Sequence, residues 1–128
     1  MPDYIVIDDD PINNMICDKI IQLTIPGAIV KTFTDGKEGL EYIRANYPGN
    51  DAKKAILFLD INMPVSGWVV LDMFQYFPDS VKECVKIFML SSSVNPHDKE
   101  KAGANPSVSG YISKSLSREK LQAILPIL

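Results

Sequence analysis

Short apolar runs alternate with amphipathic segments along the whole chain. The first and third runs are apolar throughout, which is typical of strands buried on both faces of a parallel sheet, and the second alternates in part. The predicted strands are residues 4–7, 28–33, 55–59, 86–90 and 108–112.

The segments between the runs predict helices. Pro11 opens the first helix in its first turn, where the missing N–H costs nothing, and Pro26-Gly27 ends it. Its apolar residues recur at helical spacing, so we expect them to form one buried face. They are Ile12, Met15, Ile16, Ile20 and Leu23.

Four more helices follow. Asp35 with Glu38 resembles a capping box for the second, and residues 67–77 form the third. Asn95-Pro96 caps a short fourth helix that runs to about Gly103, and Ser117 caps the last. The inward-facing positions are Leu40, Ile43 and Tyr47 in the second helix, Val70, Phe74 and Phe77 in the third, and Leu121, Ile124, Leu125 and Leu128 in the last.

This alternation predicts an α/β fold made of about five βα units. Right-handed crossovers then place helices on both faces of a parallel sheet. At this length we expect a flavodoxin-like, doubly wound five-stranded sheet of order 2-1-3-4-5, in a single domain covering residues 1–128.

Polar residues stand where the predicted strands end. The first strand runs into Asp8-Asp9-Asp10, the third into Asp60, the fourth into Ser91 and the fifth into Lys114. In such a sheet ligands bind beyond the carboxyl ends of the strands. Carboxylates brought this close repel one another unless a cation lies among them, and oxygen ligands select Mg²⁺, Mn²⁺ or Ca²⁺. A lysine and a hydroxyl nearby suit a phosphoryl group, with Asp60 as its nucleophile.

The composition of the chain argues against several other classes of protein. The chain has 128 residues and a net charge of −3 without a basic stripe, which argues against direct nucleic-acid binding. It has no apolar run long enough to span a membrane and no signal segment at its start, so we expect a cytoplasmic protein. Cys17 and Cys84 fit reduced thiols, and a lone His97 without a C-x-x-C motif argues against zinc.

The sequence resembles the receiver domain of two-component response regulators over essentially its whole length. The motifs that carry the resemblance occur in the family's order and at its separations. They are Ile5-Val6-Ile7-Asp8-Asp9-Asp10-Pro11, Leu57-Phe58-Leu59-Asp60-Ile61-Asn62-Met63-Pro64, Ser91-Ser92 and Gly110-Tyr111-Ile112-Ser113-Lys114.

The resemblance implies a role for each matching position. Asp60 matches the phosphoacceptor, which takes its phosphoryl group from a histidine kinase or a histidine phosphotransfer protein. Mg²⁺, or Mn²⁺, is the implied cofactor. Its implied ligands are Asp8, Asp9, Asp60 and the backbone carbonyl of Asn62, with Asp9 the more direct of the acidic pair.

The remaining matches concern the conformational switch. Lys114 matches the lysine that pairs with the acceptor and then with the phosphoryl oxygens, while Ser91 and Tyr111 match the switch residues. The side chains of Asn62 and Ser93 stand where the family tunes spontaneous dephosphorylation. The implied protein is an acceptor that assists its own phosphorylation and dephosphorylation, and the implied output face follows the fourth helix, the fifth strand and the last helix.

Three positions depart from the family pattern. Gly67 stands one residue closer to Met63-Pro64 than usual, which leaves the acceptor loop and the start of the third helix open. In the family a proline usually follows the lysine, and the bond between the two is often cis. Ser115 stands in place of that proline here, and a cis bond before a residue other than proline is unfavourable, so the placement of Lys114 is open as well. The segment 91–96 predicts a late start for the fourth helix, which weakens inferences about the output face.

Other functions remain open on the residues alone. A phosphorylation-independent interaction module could use the same fold. The absence of the usual proline after Lys114, where Ser115 stands, leaves that alternative open. A Mg²⁺-dependent phosphohydrolase of the haloacid-dehalogenase type would need a carboxylate two residues after the nucleophile, where Asn62 stands. A flavodoxin would bind phosphate after the first strand, where Asp8, Asp9 and Asp10 would repel it.

Overall fold

Residues 2–49, 53–92 and 96–125 are described by a computed structural model of the chain. Within this part of the chain, five parallel strands form one sheet of order β2-β1-β3-β4-β5, as the sequence predicts. The strands are β1 (Asp3–Ile7), β2 (Val30–Phe33), β3 (Ala55–Asp60), β4 (Val85–Ser91) and β5 (Val108–Ser113).

The helices connect the strands and cover both faces of the sheet. In chain order they are α1 (Pro11–Thr24), α2 (Gly36–Asn46), α3 (Gly67–Phe74), α4 (Asp79–Lys82), α5 (Pro96–Ala104) and α6 (Arg118–Ile124). None of the helices in the described residues is long and apolar enough to cross a membrane.

Successive residues of the central strands face opposite sides of the sheet and supply two cores. In β3, Leu57 and Leu59 pack on the side of α2 and α3, whereas Ile56 and Phe58 pack on the side of α1 and α6. Every residue of β3 is buried. This double burial explains why the strands read as continuous apolar runs in the sequence.

The predicted buried face of α1 is mostly wrong. Ile20 is partly buried against the core, but Ile12, Met15, Ile16 and Leu23 are exposed. The side that faces the sheet carries Asn14, Cys17 and Ile21 instead. Asn14 fixes this orientation, because its Nδ2 donates to the backbone oxygens of Asp8 at 2.9 Å and Phe33 at 3.2 Å. The spacing of apolar residues predicted that the side of α1 with more large apolar residues would be buried. The hydrogen bonds of Asn14 to the ends of β1 and β2 instead set the rotation of the helix about its axis.

The third helix is shorter than predicted. Its expected positions Val70 and Phe74 are buried, but α3 ends at Phe74 and the chain turns before Phe77, which is only partly buried. The short helix α4 then follows Pro78 and was not predicted.

The second strand also begins later than expected, at Val30 rather than at residue 28.

The other predicted helices agree more closely with the structure. Asp35 caps α2 by accepting from the backbone N of Lys37 at 3.0 Å, and Leu40, Ile43 and Tyr47 are buried as expected. Ser117 caps α6 through Lys120 N at 3.2 Å, and Leu121 is fully buried, while Ile124 and Leu125 are partly buried. The helix α5 is described from Pro96, whereas its predicted cap, Asn95, and the predicted contact of Leu128 lie outside the described residues.

A polar cluster lies at the start of β1, at the edge of the sheet formed by the amino ends of the strands (the amino edge). Asp3 Oδ2 accepts from the hydroxyl of Tyr47 at 2.7 Å, and Asp3 Oδ1 lies 3.3 Å from Lys53 Nζ. Both carboxylate oxygens therefore have a partner. We call Asp3, Tyr47 and Lys53 the amino-edge cluster.

Candidate functional site

The carboxyl edge of the sheet brings together the polar residues that follow four strands. Asp60 ends β3, between β1 and β4, and Asp8 follows β1 directly. Ser91 ends β4 opposite Ser113 of β5, and the backbone N of Lys114 donates to Ser91 O at 2.8 Å. Order 2-1-3-4-5 makes neighbours of residues that are more than 50 positions apart in the sequence, as in the pair Asp8 and Asp60.

Asp8 is a buried carboxylate surrounded by donors, with no exposed surface. Its Oδ2 accepts from Asn13 Nδ2 at 2.6 Å and lies 2.8 Å from Lys114 Nζ. Its Oδ1 accepts from the backbone N of Asp10 at 2.9 Å. Three donors thus hold this side chain in one orientation.

Asp60 is equally buried, with 1% of its surface exposed, but it is less well compensated. Its Oδ1 lies 3.2 Å from Lys114 Nζ and accepts from the backbone N of Asn62 at 3.1 Å. Its Oδ2 has no hydrogen-bond partner among the described residues. A buried acceptor without a partner costs about 1–3 kcal/mol, so this oxygen is ready to take up a ligand.

The two carboxyls have opposite pKa shifts. Burial acts to raise the pKa of Asp8, but the hydrogen bonds from Lys114 and from the backbone of Asp10 outweigh it and hold the pKa below its ordinary value. At Asp60, burial outweighs the donor from Asn62, the charge of Asp8 adds to burial, and the pKa is raised. Burial would lower the pKa of Lys114, yet its hydrogen bond to Asp8 and the charge of Asp60 raise it. The structure therefore keeps the lysine charged beside two acids.

The arrangement fits a divalent cation. One carboxylate oxygen from each of Asp8, Asp9 and Asp60 lies within 4.8 Å of the others, and Asp9 is exposed at the mouth of the cluster. With Lys114 these groups carry a formal charge of −2, since three carboxylates face one ammonium group. Hard oxygen donors with an excess of negative charge suit Mg²⁺ or Mn²⁺, and the unpartnered Oδ2 of Asp60 is free to face such an ion.

The other predicted site residues lie around this cluster at different depths. Ser91 is fully buried at the end of β4, and Tyr111 of β5 is partly buried beside Met89. Asn62 is exposed, and its Nδ2 donates to Ser92 Oγ at 3.4 Å. Ser93, the second predicted tuning residue, lies outside the described residues.

The shortened loop after Asp60 still ends at a glycine for a steric reason. A Cβ at Gly67 would overlap the backbone carbonyl of Asp60, and the N–H of Gly67 donates to Ile61 O at 3.0 Å. The start of α3 is therefore packed directly against the backbone of Asp60. Only a residue without a side chain allows this approach.

Ser115 does not displace the lysine that precedes it. The bond Lys114–Ser115 is cis, and Lys114 Nζ reaches both buried carboxylates. Lys120 of α6 crosses this loop, and its Nζ donates to Ser113 O at 2.7 Å and to Ser115 O at 2.9 Å. A lysine in the last helix thus ties down the backbone on both sides of Lys114.

Two residues of the site were not found by sequence reasoning. Asn13 binds the Asp8 carboxylate, and Asn14 binds the Asp8 backbone. Both stand in the first turns of α1, where side chains of a helix that starts at the carboxyl edge can return to it. A polar pair inside an otherwise apolar helix start was the signal available in the sequence.

The comparisons with known proteins agree with this geometry. The family model for the response regulator receiver domain matches residues 4–126. The crystal structure of a two-component response regulator from Cytophaga hutchinsonii is 30% identical, with a TM-score of 0.89 over 99% of this chain and 96% of that chain. A response regulator receiver protein from Dyadobacter fermentans is 25% identical, with a TM-score of 0.89 over 99% of this chain and 97% of that chain.

More distant structures share the fold. The chemotaxis protein CheY4 of Vibrio cholerae is 23% identical, with a TM-score of 0.78 over 99% of this chain and 98% of that chain. No curated protein matches the chain by sequence. Because the family model covers nearly the whole chain and the Cytophaga structure matches it from end to end, the chain belongs to the receiver domains of response regulators.

Proposed function

We propose that this receiver domain accepts a phosphoryl group on Asp60 from a phosphohistidine, in a Mg²⁺-dependent reaction, and then changes conformation to control a partner protein. The observation that carries the proposal is the Oδ2 atom of Asp60. It is a buried carboxylate oxygen without a hydrogen-bond partner in the described part of the chain, and it lies beside an acidic cluster and a lysine.

The chain's own residues supply most of the chemistry. One carboxylate oxygen of Asp60 attacks phosphorus and forms the P–O bond. The P–N bond breaks, and its electron pair goes to the imidazole nitrogen, which then takes a proton from solvent. Lys114 neutralises part of the charge on the transferred group. A bound Mg²⁺, held by Asp8, Asp9, Asp60 and the carbonyl of Asn62, would neutralise further charge on the phosphoryl oxygens.

The surroundings of the site support a switch. Ser91 is a buried hydroxyl at the next strand end, and Tyr111 follows on the neighbouring strand. New negative charge on Asp60 favours the state in which the Ser91 hydroxyl turns toward it, so phosphorylation shifts an existing equilibrium. We propose that the side chains of Asn62 and Ser93 tune the lifetime of the acyl phosphate.

A route to the output face begins directly after Gly67. Trp68 Nε1 donates to Asp98 Oδ1 of α5 at 3.4 Å, and Lys101 Nζ lies 4.7 Å from the centre of the Trp68 ring. Movement in the acceptor loop can therefore reach α5. We propose α5, β5 and α6 as the surface that a downstream partner reads.

The phosphoryl donor needs a surface next to the acidic cluster, and α1 offers one. This helix starts at Pro11, immediately after the acidic residues, and presents an exposed apolar stripe. The members of the stripe are Ile12, Met15, Ile16 and Leu23. A histidine kinase or phosphotransfer protein that covers the stripe would hold its phosphohistidine over the carboxyl edge.

The proposal is tested by incubating the protein with acetyl phosphate and Mg²⁺ and measuring its intact mass by mass spectrometry. We expect one phosphoryl group on the native chain, none on Asp60→Asn and none when Mg²⁺ is chelated. Asp79→Asn is the matched control, because Asp79 is an exposed aspartate of α4 that lies outside the site. Labelling that persists in Asp60→Asn would contradict the assignment, and a native chain that is never labelled would favour the phosphorylation-independent module.

A further inference from the structure

Asn13 contacts the same carboxylate oxygen as the site lysine. Its Nδ2 donates to Asp8 Oδ2 at 2.6 Å, and Lys114 Nζ lies 2.8 Å from that oxygen. We propose that Asn13 is a positioning residue that holds Asp8 in place when Lys114 moves its contacts to the phosphoryl group on Asp60. This inference rests on the proposed function, which requires Lys114 to serve two partners in turn.

The lysine is shared between two buried carboxylates before any transfer occurs. It is closer to Asp8 Oδ2, at 2.8 Å, than to Asp60 Oδ1, at 3.2 Å. A phosphoryl group on Asp60 adds further negatively charged oxygens and attracts the ammonium away from Asp8. Asp8 then competes with the phosphoryl group for the Lys114 ammonium group.

The number of donors at Asp8 decides how costly that movement is. With Asn13 present, Asp8 keeps the Asn13 amide and the backbone N of Asp10 after Lys114 has left. Without Asn13 only the backbone donor among these three contacts remains. Stripping donors from a fully buried carboxylate is strongly unfavourable, so Lys114 would stay with Asp8.

The neighbouring Asn14 has a different task, which separates positioning from folding. Asn14 is buried, and its Nδ2 donates to backbone oxygens that orient α1 on the sheet. Asn13 is only partly buried, and its Nδ2 donates to Asp8 Oδ2 and, more distantly, to Cys17 Sγ at 3.7 Å. Replacing Asn13 should therefore change the site while leaving the packing of the helix intact.

The test uses two variants of similar length and a matched control. Asn13→Leu removes the donor, whereas Asn13→Gln keeps an amide that can reach Asp8. Asn46→Leu is the control, because Asn46 is an exposed asparagine of α2 whose Nδ2 donates to Tyr42 O, remote from the site. Asn13→Ala serves as a second donor-free variant should the leucine disturb folding, which urea unfolding will reveal.

Three measurements are made on each variant of the 128-residue chain. The first is Mg²⁺ affinity by titration calorimetry, and the second is the rate of phosphoryl incorporation from acetyl phosphate by intact mass. The third is the nitrogen resonance of the Lys114 ammonium group before and after adding Mg²⁺ and beryllium fluoride, which mimics an acyl phosphate. For the donor-free variants we expect a loss of about tenfold in Mg²⁺ affinity and in rate, the usual scale for residues that orient a metal ligand.

The spectroscopic result distinguishes positioning from a merely structural role. We expect the Lys114 resonance to shift with beryllium fluoride in the native chain and in Asn13→Gln, and to shift much less in Asn13→Leu. Native affinity, rate and resonance shift in a folded Asn13→Leu would overturn the inference, as would equal losses in Asn13→Leu and Asn13→Gln. If the native chain takes up no phosphoryl group, the proposed function fails instead, and Mg²⁺ affinity alone still tests Asn13.

Discussion

The two edges of the sheet both place an aspartate against a lysine, and they differ in how the charge is balanced. In the amino-edge cluster, Asp3 has one cation, Lys53, and one hydroxyl donor, Tyr47, so each of its oxygens has a partner. At the carboxyl edge, Asp8 and Asp60 share a single lysine, and one oxygen of Asp60 has no partner among the described residues.

The difference separates a structural role from a functional one. Buried polar groups in proteins almost always have partners, and exceptions are expected where a ligand is to be received. The amino-edge cluster is complete, which suits a role in holding the chain in place. The carboxyl-edge site is incomplete, which costs stability and suits the cation and the phosphoryl group that we propose it receives.

The largest effect is expected from removing the cation at the carboxyl edge, with removal of the cation at the amino edge as the comparison. Lys114→Met leaves Asp8 and Asp60 buried without a counter-charge and should lower the free energy of unfolding of the metal-free protein by about 3 kcal/mol. Lys53→Met breaks a pair that is partly open to water and should cost less than about 1 kcal/mol. Urea unfolding in the presence of a chelator measures both.

Equal losses in these two lysine variants would break the comparison between the edges. Added Mg²⁺ should restore part of the stability of Lys114→Met, since it supplies positive charge near the same carboxylates. It should leave Lys53→Met unchanged relative to the native chain.

A smaller effect is expected from Tyr47→Phe at the amino edge. This variant removes the hydroxyl that donates to Asp3 and should cost about 1.5 kcal/mol, the scale of a hydrogen bond to a charged group. Because Tyr47 is remote from the acceptor, the rate of phosphoryl incorporation should not change. A reduced rate at full folding would mean that the two edges are coupled.

An effect of opposite sign is expected from Asp60→Asn. The raised pKa of Asp60 means that its charged form destabilises the fold at neutral pH, so the metal-free variant should be more stable than the native chain by about 1 kcal/mol. The gap should narrow as the pH falls through the folded-state pKa of Asp60 toward its ordinary value, since the native carboxyl then becomes neutral. Thermal unfolding at several pH values in chelator checks this, and a less stable Asp60→Asn would contradict it.

The sheet and the position of its acidic edge could be read from the sequence because they depend on a simple rule. A strand buried on both faces must be apolar throughout, so Asp60 and Lys114 mark strand ends by interrupting or following apolar runs. Once the strand order is known, parallel geometry brings those ends together. No information about individual side-chain contacts is needed.

The sequence pattern could not predict the rotation of α1 or the contacts that hold Asp8 in place. They depend on Asn13 and Asn14, whose partners lie on strand ends and are chosen by distance and angle rather than by pattern. Exposed apolar residues such as Ile12 and Met15 add to the difficulty, because periodicity counts them as core. The unpredicted helix α4 is too short to have a periodicity at all.

The distribution of the site along the chain has a consequence for protein synthesis. Asp8 leaves the ribosome first, Asp60 follows 52 residues later, and Lys114 follows after a further 54 residues. Until β5 docks beside β4, the two carboxylates lack the ammonium group that balances them in the finished fold. Under the proposed function, a nascent or truncated chain without a docked β5 lacks the lysine of its acceptor site, and we expect it to take phosphoryl groups poorly from the donor.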